Sequence, residues 1–105
     1  MKRRGDSFRD YVLDQLREAG VVECRSMFGG YGLYKDGRFF GILYKGRFYL
    51  KTGRNDRAEY VKAGMKPFKP SARQTLKSYY EVPADVVESA RELAAWAKRA
   101  FAASR

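Results

Sequence analysis

Residues 25–52 have the sequence RSMFGGYGLYKDGRFFGILYKGRFYLKT, in which short aromatic-rich runs alternate with turn-forming pairs. Aromatic and β-branched runs bounded by glycine turns are typical of a β-meander. Asp36-Gly37 is a strong signal for a two-residue hairpin, because glycine tolerates the positive φ of a primed turn, and Lys45-Gly46 is a weaker one. The stretch therefore predicts three antiparallel strands, over residues 31–35, 38–44 and 47–52.

The two predicted turns set a register for this meander. Two-residue loops place Lys35 opposite Arg38, and Tyr44 opposite Arg47. Because side chains alternate along a strand, this register predicts an apolar core face that carries Tyr34, Phe39, Leu43, Phe48 and Leu50. The other face then mixes Tyr31, Leu33 and Ile42 with the residues that we take as candidates for binding nucleic acid or a protein partner: Lys35, Arg38, Phe40, Tyr44, Arg47, Tyr49 and Lys51.

The flanking segments add helices and further strands. Apolar residues recur every three or four positions between Phe8 and Ala19, which predicts an amphipathic helix. Residues 21–25 are expected to form a short first strand and residues 56–63 a short helix. The prolines of residues 66–70 indicate an extended connection, residues 74–82 a half-buried strand, and residues 84–102 one long helix. Together these predict a two-layer α+β domain: an antiparallel sheet of about five strands with the N- and C-terminal helices on one face.

The positive charge is concentrated in the middle of the chain. The 105 residues, a length typical of one domain, carry a net charge of +10. Residues 25–80 hold thirteen Lys or Arg against three acidic residues, whereas the segments on either side are neutral. A local excess of this size attracts polyanions, although it also serves solubility. We expect residues 1–105 to form a single domain.

The composition argues against catalysis and metal binding. The chain has no histidine, so the commonest general base and metal ligand is missing, and its single cysteine, Cys24, cannot form an intramolecular disulfide. No carboxylate cluster has the spacing of a metal site, and the Gly29-Gly30-x-Gly32 run lacks the lysine of a phosphate-binding loop. We therefore expect no catalytic residue, no metal and no cofactor. No signal peptide or membrane span is apparent, which favours the cytoplasm.

Several strings, taken in order, resemble the N-terminal domain of the TfoX/Sxy family of bacterial competence regulators. They are MFGGYGLY at residues 27–34, FYLK at residues 48–51, PF at residues 67–68, SYYEVP at residues 78–83, and residues 93–100 around Trp96. The motif positions expected to be mainly structural are Met27, Phe28, Gly29, Gly30, Tyr31, Gly32, Tyr79, Tyr80 and Pro83. The resemblance implies a small α+β domain without catalytic residues, in proteins that promote transcription of DNA-uptake genes together with the cyclic-AMP receptor protein. The two-domain members of that family carry a C-terminal helical domain, which we expect this chain to lack.

Two functional hypotheses follow. The first is a regulatory binding module that acts through protein–protein contact and through unspecific binding of DNA, with phosphates on the basic side chains and unpaired bases on the aromatic ones. The second is a homodimeric interaction or structural module with no role in nucleic-acid binding, which would bury the apolar part of the same face or an unpaired sheet edge.

Overall fold

The computed structural model describes residues 4–27 and 29–104. These residues form a six-stranded sheet, four α-helices and a short 3₁₀ helix at Arg17–Ala19. In chain order the helices and strands are α1 Arg4–Gln15, β1 Glu23–Met27, β2 Gly30–Lys35, β3 Arg38–Tyr44, β4 Arg47–Lys51, α2 Arg57–Lys62, β5 Pro67–Ser71, β6 Gln74–Glu81, α3 Ala84–Val87 and α4 Ala90–Ala103.

The architecture is the predicted two-layer α+β fold. All strands pair antiparallel in the order β1-β2-β3-β4-β6-β5. The helices cover one face of the sheet, and the main core between the two layers includes Val12 of α1, Leu33 and Leu50 of the sheet, Tyr60 of α2 and Leu93 of α4. The predicted short first strand forms two residues later than expected, at Glu23–Met27.

Both predicted hairpin turns are confirmed. Asp36 and Gly37 have φ angles of 51° and 77°, and Lys45 and Gly46 have φ angles of 49° and 75°. Positive φ at both central residues is the signature of a type I′ turn, whose twist matches that of the strands it joins. The turns therefore place Lys35 opposite Arg38 and Tyr44 opposite Arg47, as the sequence predicts.

A β-bulge in β3 makes the predicted division of the two faces wrong. Leu33 pairs with Gly41 rather than with Phe40, while Tyr34 still pairs with Phe39, so Phe40 is the extra residue. An extra residue reverses the alternation on one side of the bulge. Consequently Phe40 is 1% exposed within the main core.

The bulge redistributes the other residues between the two faces. Of the predicted core face, Leu43, Phe48 and Leu50 lie beneath the helices, whereas Tyr34 and Phe39 lie on the opposite face. Of the predicted mixed face, Tyr31 and Leu33 pack against the main core, whereas Ile42 and Tyr49 belong to a second, smaller core on the opposite face.

Two predictions for the C-terminal half also need correction. Residues 66–70, predicted as a connection, contribute to strand β5, which pairs with β6; this pairing accounts for the sixth strand. The pairing of Phe68 with Leu76 is irregular, and Leu76 packs against the smaller core whereas Tyr80 packs against the main core. Sequence alternation alone could not reveal these register shifts.

The predicted final helix is two helices. It is interrupted between α3 and α4 at Ser89, whose backbone is extended and whose hydroxyl accepts a hydrogen bond from the Glu92 backbone N–H at 3.3 Å. A serine in this position caps a helix start by satisfying an otherwise unpaired N–H. The break lets Val86 and Val87 of α3, as well as Leu93 of α4, reach the same core.

Candidate functional site

The sheet face opposite the helices, which we call the open face, carries two groups of packed aromatic rings. In the first, Phe39 lies between Tyr34 and Tyr79, with ring centroids 5.2 Å and 5.1 Å apart. In the second, Phe68 lies between Tyr44 and Tyr49, at 5.4 Å and 4.8 Å. These separations are typical of stabilising aromatic pairs. The open face therefore has an apolar cluster of its own, in which Tyr49, Phe68 and Tyr79 are buried although the described helices lie on the other side of the sheet.

Strand register explains how these rings come together. Tyr34 and Phe39 are directly opposite across the β2–β3 hairpin, and Tyr79 of β6 reaches them by donating a hydrogen bond from its hydroxyl to the Phe39 carbonyl at 3.3 Å. A glycine at position 32 also matters, because a Cβ there would lie within 3.1 Å of both the Met27 methyl carbon and the Phe39 ring. The absence of a side chain at Gly32 lets its neighbours pack across the strand.

Cationic side chains lie over the rings of the open face. The Arg25 guanidinium is 4.6 Å from the centre of the Tyr34 ring, and the Lys51 ammonium is 5.3 Å from that of Tyr79. Lys45 lies 5.3 Å from the ring centre of its neighbour Tyr44. Distances below about 6 Å allow cation–π attraction. The open face therefore combines aromatic packing with a positively charged periphery.

One part of this periphery is a depression of about 450 Å³, which we call the basic depression. It is lined by Arg47, Tyr49, Lys66, Pro67, Lys69, Thr75 and Glu81. Arg47 forms an ion pair with Glu81 at 3.5 Å, so the acid offsets one of the three cations. The basic depression keeps a net positive charge beside the Tyr49 ring and is suited to an anionic group.

Two tyrosines of the open face, Tyr49 and Tyr79, have a raised pKa. Burial raises the pKa of Tyr79 to about 12, with a smaller contribution from Tyr34. Burial also raises the pKa of Tyr49, and Glu81 acts in the same direction. A raised pKa means that these hydroxyls remain hydrogen-bond donors rather than adding negative charge to a basic surface.

The structure brings together only part of the predicted binding set. Tyr44, Arg47, Tyr49 and Lys51 lie on the open face, as the contacts above show. Lys35 and Arg38 lie on the helix side, with their cationic groups 4.3 Å and 4.8 Å from the ring centre of Phe101 in α4. Phe40 is buried in the main core. These last three therefore do not share a surface with the other four.

Sequence reasoning missed several residues of the open face. Lys66, Phe68 and Lys69 lie in or beside β5, which the prolines favour as an extended connection rather than a strand. An aromatic residue between lysines is nevertheless a signal for a basic-aromatic surface. Arg25 was overlooked because its proximity to Tyr34 depends on the pairing of β1 with β2.

The motif residues occupy positions that shape the sheet. Gly30 permits close packing, because a Cβ there would overlap the Leu43 carbonyl oxygen. The Tyr31 hydroxyl is 3.2 Å from Arg9 Nη1. Tyr80 packs against Tyr60, and Pro83 precedes the first residue of α3. Gly29 forms part of the turn before β2 with a φ of 79°, and Phe28 lies outside the described residues.

A second depression, of about 720 Å³, lies between the α2 region and the end of α4. Its lining mixes cations with acids, and two of these residues, Arg99 and Glu59, pair with each other at 2.7 Å.

Within residues 4–27 and 29–104, no group of three or more Cys, Asp or Glu side chains is arranged to hold a metal ion. Over the same residues, no helix is both long and apolar enough to cross a membrane.

Comparison with known proteins identifies the family. The DNA transformation protein TfoX1 of Aliivibrio fischeri (strain ATCC 700601 / ES114) is 30% identical over 69 residues, which cover 64% of this chain. The chain spans about a third of the length of that curated relative, 33%. Residues 14–104 match the TfoX N-terminal domain. Since that match covers nearly all of the described fold, the chain belongs to the TfoX N-terminal domain family, which is linked to the regulation of competence.

Proposed function

We propose that this domain is a non-enzymatic regulatory binding module and that its open face contacts a protein partner. The observation that carries the proposal is a sheet face, free of described helices, on which the partly exposed rings of Tyr34, Phe39 and Tyr44 are bordered by cations. Aromatic residues and arginine are enriched where proteins bind each other. The partner that suits this surface has apolar groups for the rings and acidic groups for the basic depression.

The burial of the rings favours protein contact over base stacking. Phe68 is 1% exposed, and Tyr49 and Tyr79 are each 8% exposed. A stacking platform presents the flat face of a ring to an unpaired base. These three rings are largely occupied by their neighbours, so the surface offers ring edges and cations instead. Such a surface is compatible with a folded protein or with a phosphate backbone.

The family membership directs the choice of partner. We propose that the module acts in the bacterial cytoplasm on a DNA-bound transcription factor such as the cyclic-AMP receptor protein. The support is the link of the family to competence regulation together with the relative's description as a DNA transformation protein. A transcription factor at a promoter would present both a protein surface and neighbouring DNA phosphates to a domain with a charge of +10.

Direct, unspecific binding of nucleic acid is a second candidate. The basic depression supports it, because Lys66 and Lys69 form no ion pair within the described part of the chain and phosphate contacts need only accessible cations. This candidate differs from the first in its salt dependence, since binding to phosphates releases counterions and weakens as salt is added.

Fluorescence anisotropy can separate these candidates. Purified protein would be titrated, at two salt concentrations, with a labelled promoter duplex that carries the cyclic-AMP receptor protein, with the same duplex alone, and with one of its single strands. Protein contact predicts appreciably tighter binding to the loaded duplex. Equal affinity for loaded and bare DNA would favour the second candidate, whereas no binding to any of the three targets at low salt would overturn both.

A matched pair of variants tests the location of the site. Lys66→Gln with Lys69→Gln removes two cations from the basic depression. Lys62→Gln with Lys98→Gln removes the same charge from exposed positions on α2 and α4. The first pair should weaken binding to the loaded duplex and reduce any salt slope for bare duplex DNA by about 1.8, at about 0.9 per phosphate contact. Equal effects of the two pairs would show that binding depends on total charge rather than on the open face.

A further inference from the structure

The two edges of the sheet differ in their ability to pair with another strand. Strand β5, at one edge, contains Pro67 and Pro70 and pairs irregularly with β6. Proline has no backbone N–H to donate and is one of the devices that protect a sheet edge. Strand β1, at the other edge, contains no proline and no lysine, and it pairs regularly with β2 over all five residues. The edge formed by β1 is therefore the one suited to further pairing.

The side chains of this edge are self-complementary. Glu23 and Arg25 are exposed and lie on the open-face side, where they form an ion pair within the strand at 3.2 Å, with side chains 60% and 61% exposed. Val21, two residues before Glu23, is 86% exposed, and Met27, two residues after Arg25, is only partly buried. If the alternation of β1 continues back to Val21, which precedes the strand, the row reads apolar, acidic, basic, apolar. This order matches its own reverse in an antiparallel pair, with the acid facing the base.

Symmetry selects one register from the alternatives. If two copies of β1 pair around a two-fold axis perpendicular to the sheet, each residue lies opposite a residue of the second copy whose side chain is on the same face of the sheet. An axis at Glu23 would place acid against acid, and an axis at Arg25 would place base against base. An axis at Cys24 places Glu23 opposite Arg25 of the second copy and Val21 opposite its Met27. In this register Glu23 of each copy lies opposite Arg25 of the other, so the interface contains two pairs of opposite charges.

We propose that β1 pairs antiparallel with β1 of a second copy of this chain around a two-fold axis at Cys24. The pairing extends the six-stranded sheet into a continuous sheet of twice the width and places the two open faces on the same side. It also uses a segment with no net charge, from Val21 to Met27, so that the interface itself adds no repulsion between two copies that each carry +10. The partner is therefore another molecule of the same protein.

Charge exchange tests the register. Size-exclusion chromatography with light scattering should give a mass of twice 12.1 kDa at high concentration and dissociation on dilution. Glu23→Arg should raise the dimer dissociation constant about tenfold, because it places two arginines opposite each other at two points of the interface, where the wild type has weak ion pairs. Adding Arg25→Glu should restore most of the affinity by reversing both charges. Glu88→Arg, an equal charge change at an exposed position outside β1, should leave the mass unchanged.

Cys24 offers an independent measurement, since it is the single cysteine of the chain. Directly opposed residues of antiparallel strands have Cα atoms about 4.5–5.5 Å apart, which is within the range of a disulfide. Diamide should therefore oxidise two Cys24 thiols to an intermolecular disulfide, taking up their two electrons and two protons. The yield should fall in Glu23→Arg and recover in the double variant. A strict monomer at millimolar concentration would overturn the proposal. So would a dimer whose mass and crosslinking yield are the same in the wild type, in Glu23→Arg and in the double variant.

Discussion

Replacing Phe68 by alanine tests whether the open face has a core of its own. The side chain is 1% exposed and packs between the rings of Tyr44 and Tyr49, in a cluster separate from the main core. A buried phenylalanine removes roughly 150–200 Å² from water. At about 25 cal/mol per Å², truncation costs about 4 kcal/mol, within the range of about 3–5 kcal/mol measured for Phe→Ala in cores.

The assay is urea denaturation followed by far-ultraviolet circular dichroism and by fluorescence of Trp96. Trp96 is on the opposite side of the sheet, 4.7 Å from the ring centre of Tyr60, so it reports on the main core rather than on the mutated cluster. For a urea m-value of about 1–2 kcal/mol per M, the midpoint should fall by about 2–4 M, with both probes in agreement. Coincident transitions would mean that the two cores unfold cooperatively.

A matched control keeps this test specific. Val61→Ala truncates a side chain that is 57% exposed on α2 and should change the free energy of unfolding by less than about 0.5 kcal/mol. A loss below about 1 kcal/mol in Phe68→Ala would refute the reasoning, because it would mean that Phe68 is solvated in solution and does not pack between Tyr44 and Tyr49.

Two further predictions concern a turn and a titration. Lys45 has a φ of 49°, a conformation that asparagine favours. Lys45→Asn should therefore stabilise the protein by about 0.5–1 kcal/mol in the same denaturation assay, whereas Lys45→Val should destabilise it. Equal denaturation midpoints for the two variants would contradict the turn assignment. Burial raises the pKa of Tyr79 to about 12, against about 10 in an unfolded chain, so its contribution to stability is complete below pH 10 and is lost as the pH rises towards 12. Between about pH 9 and about pH 11.5, the free energy of unfolding should fall by about 1–2 kcal/mol more in the wild type than in Tyr79→Phe. Parallel pH profiles of the two proteins would exclude this effect.

The candidate site was only partly predictable because a binding surface depends on which strands become neighbours. Tyr44, Arg47, Tyr49 and Lys51 follow a simple alternation on the far side of the bulge, so the sequence placed them together correctly. Lys35 and Arg38 precede the bulge and lie on the helix side, against Phe101. Their separation from the other cations reflects one extra residue in one strand, which local composition does not reveal.

The sequence by itself determined the local features of this protein. Asp36-Gly37 and Lys45-Gly46 specify two hairpins, because residue pairs of this kind adopt type I′ turns, and the motif strings identify the family. Tertiary structure decided the rest. The bulge at Phe40, the pairing of β5 with β6 and the break at Ser89 depend on contacts between distant segments. These contacts are decided by how well the whole sheet and its helices bury apolar side chains, so the composition of the open face could be established only from the folded chain.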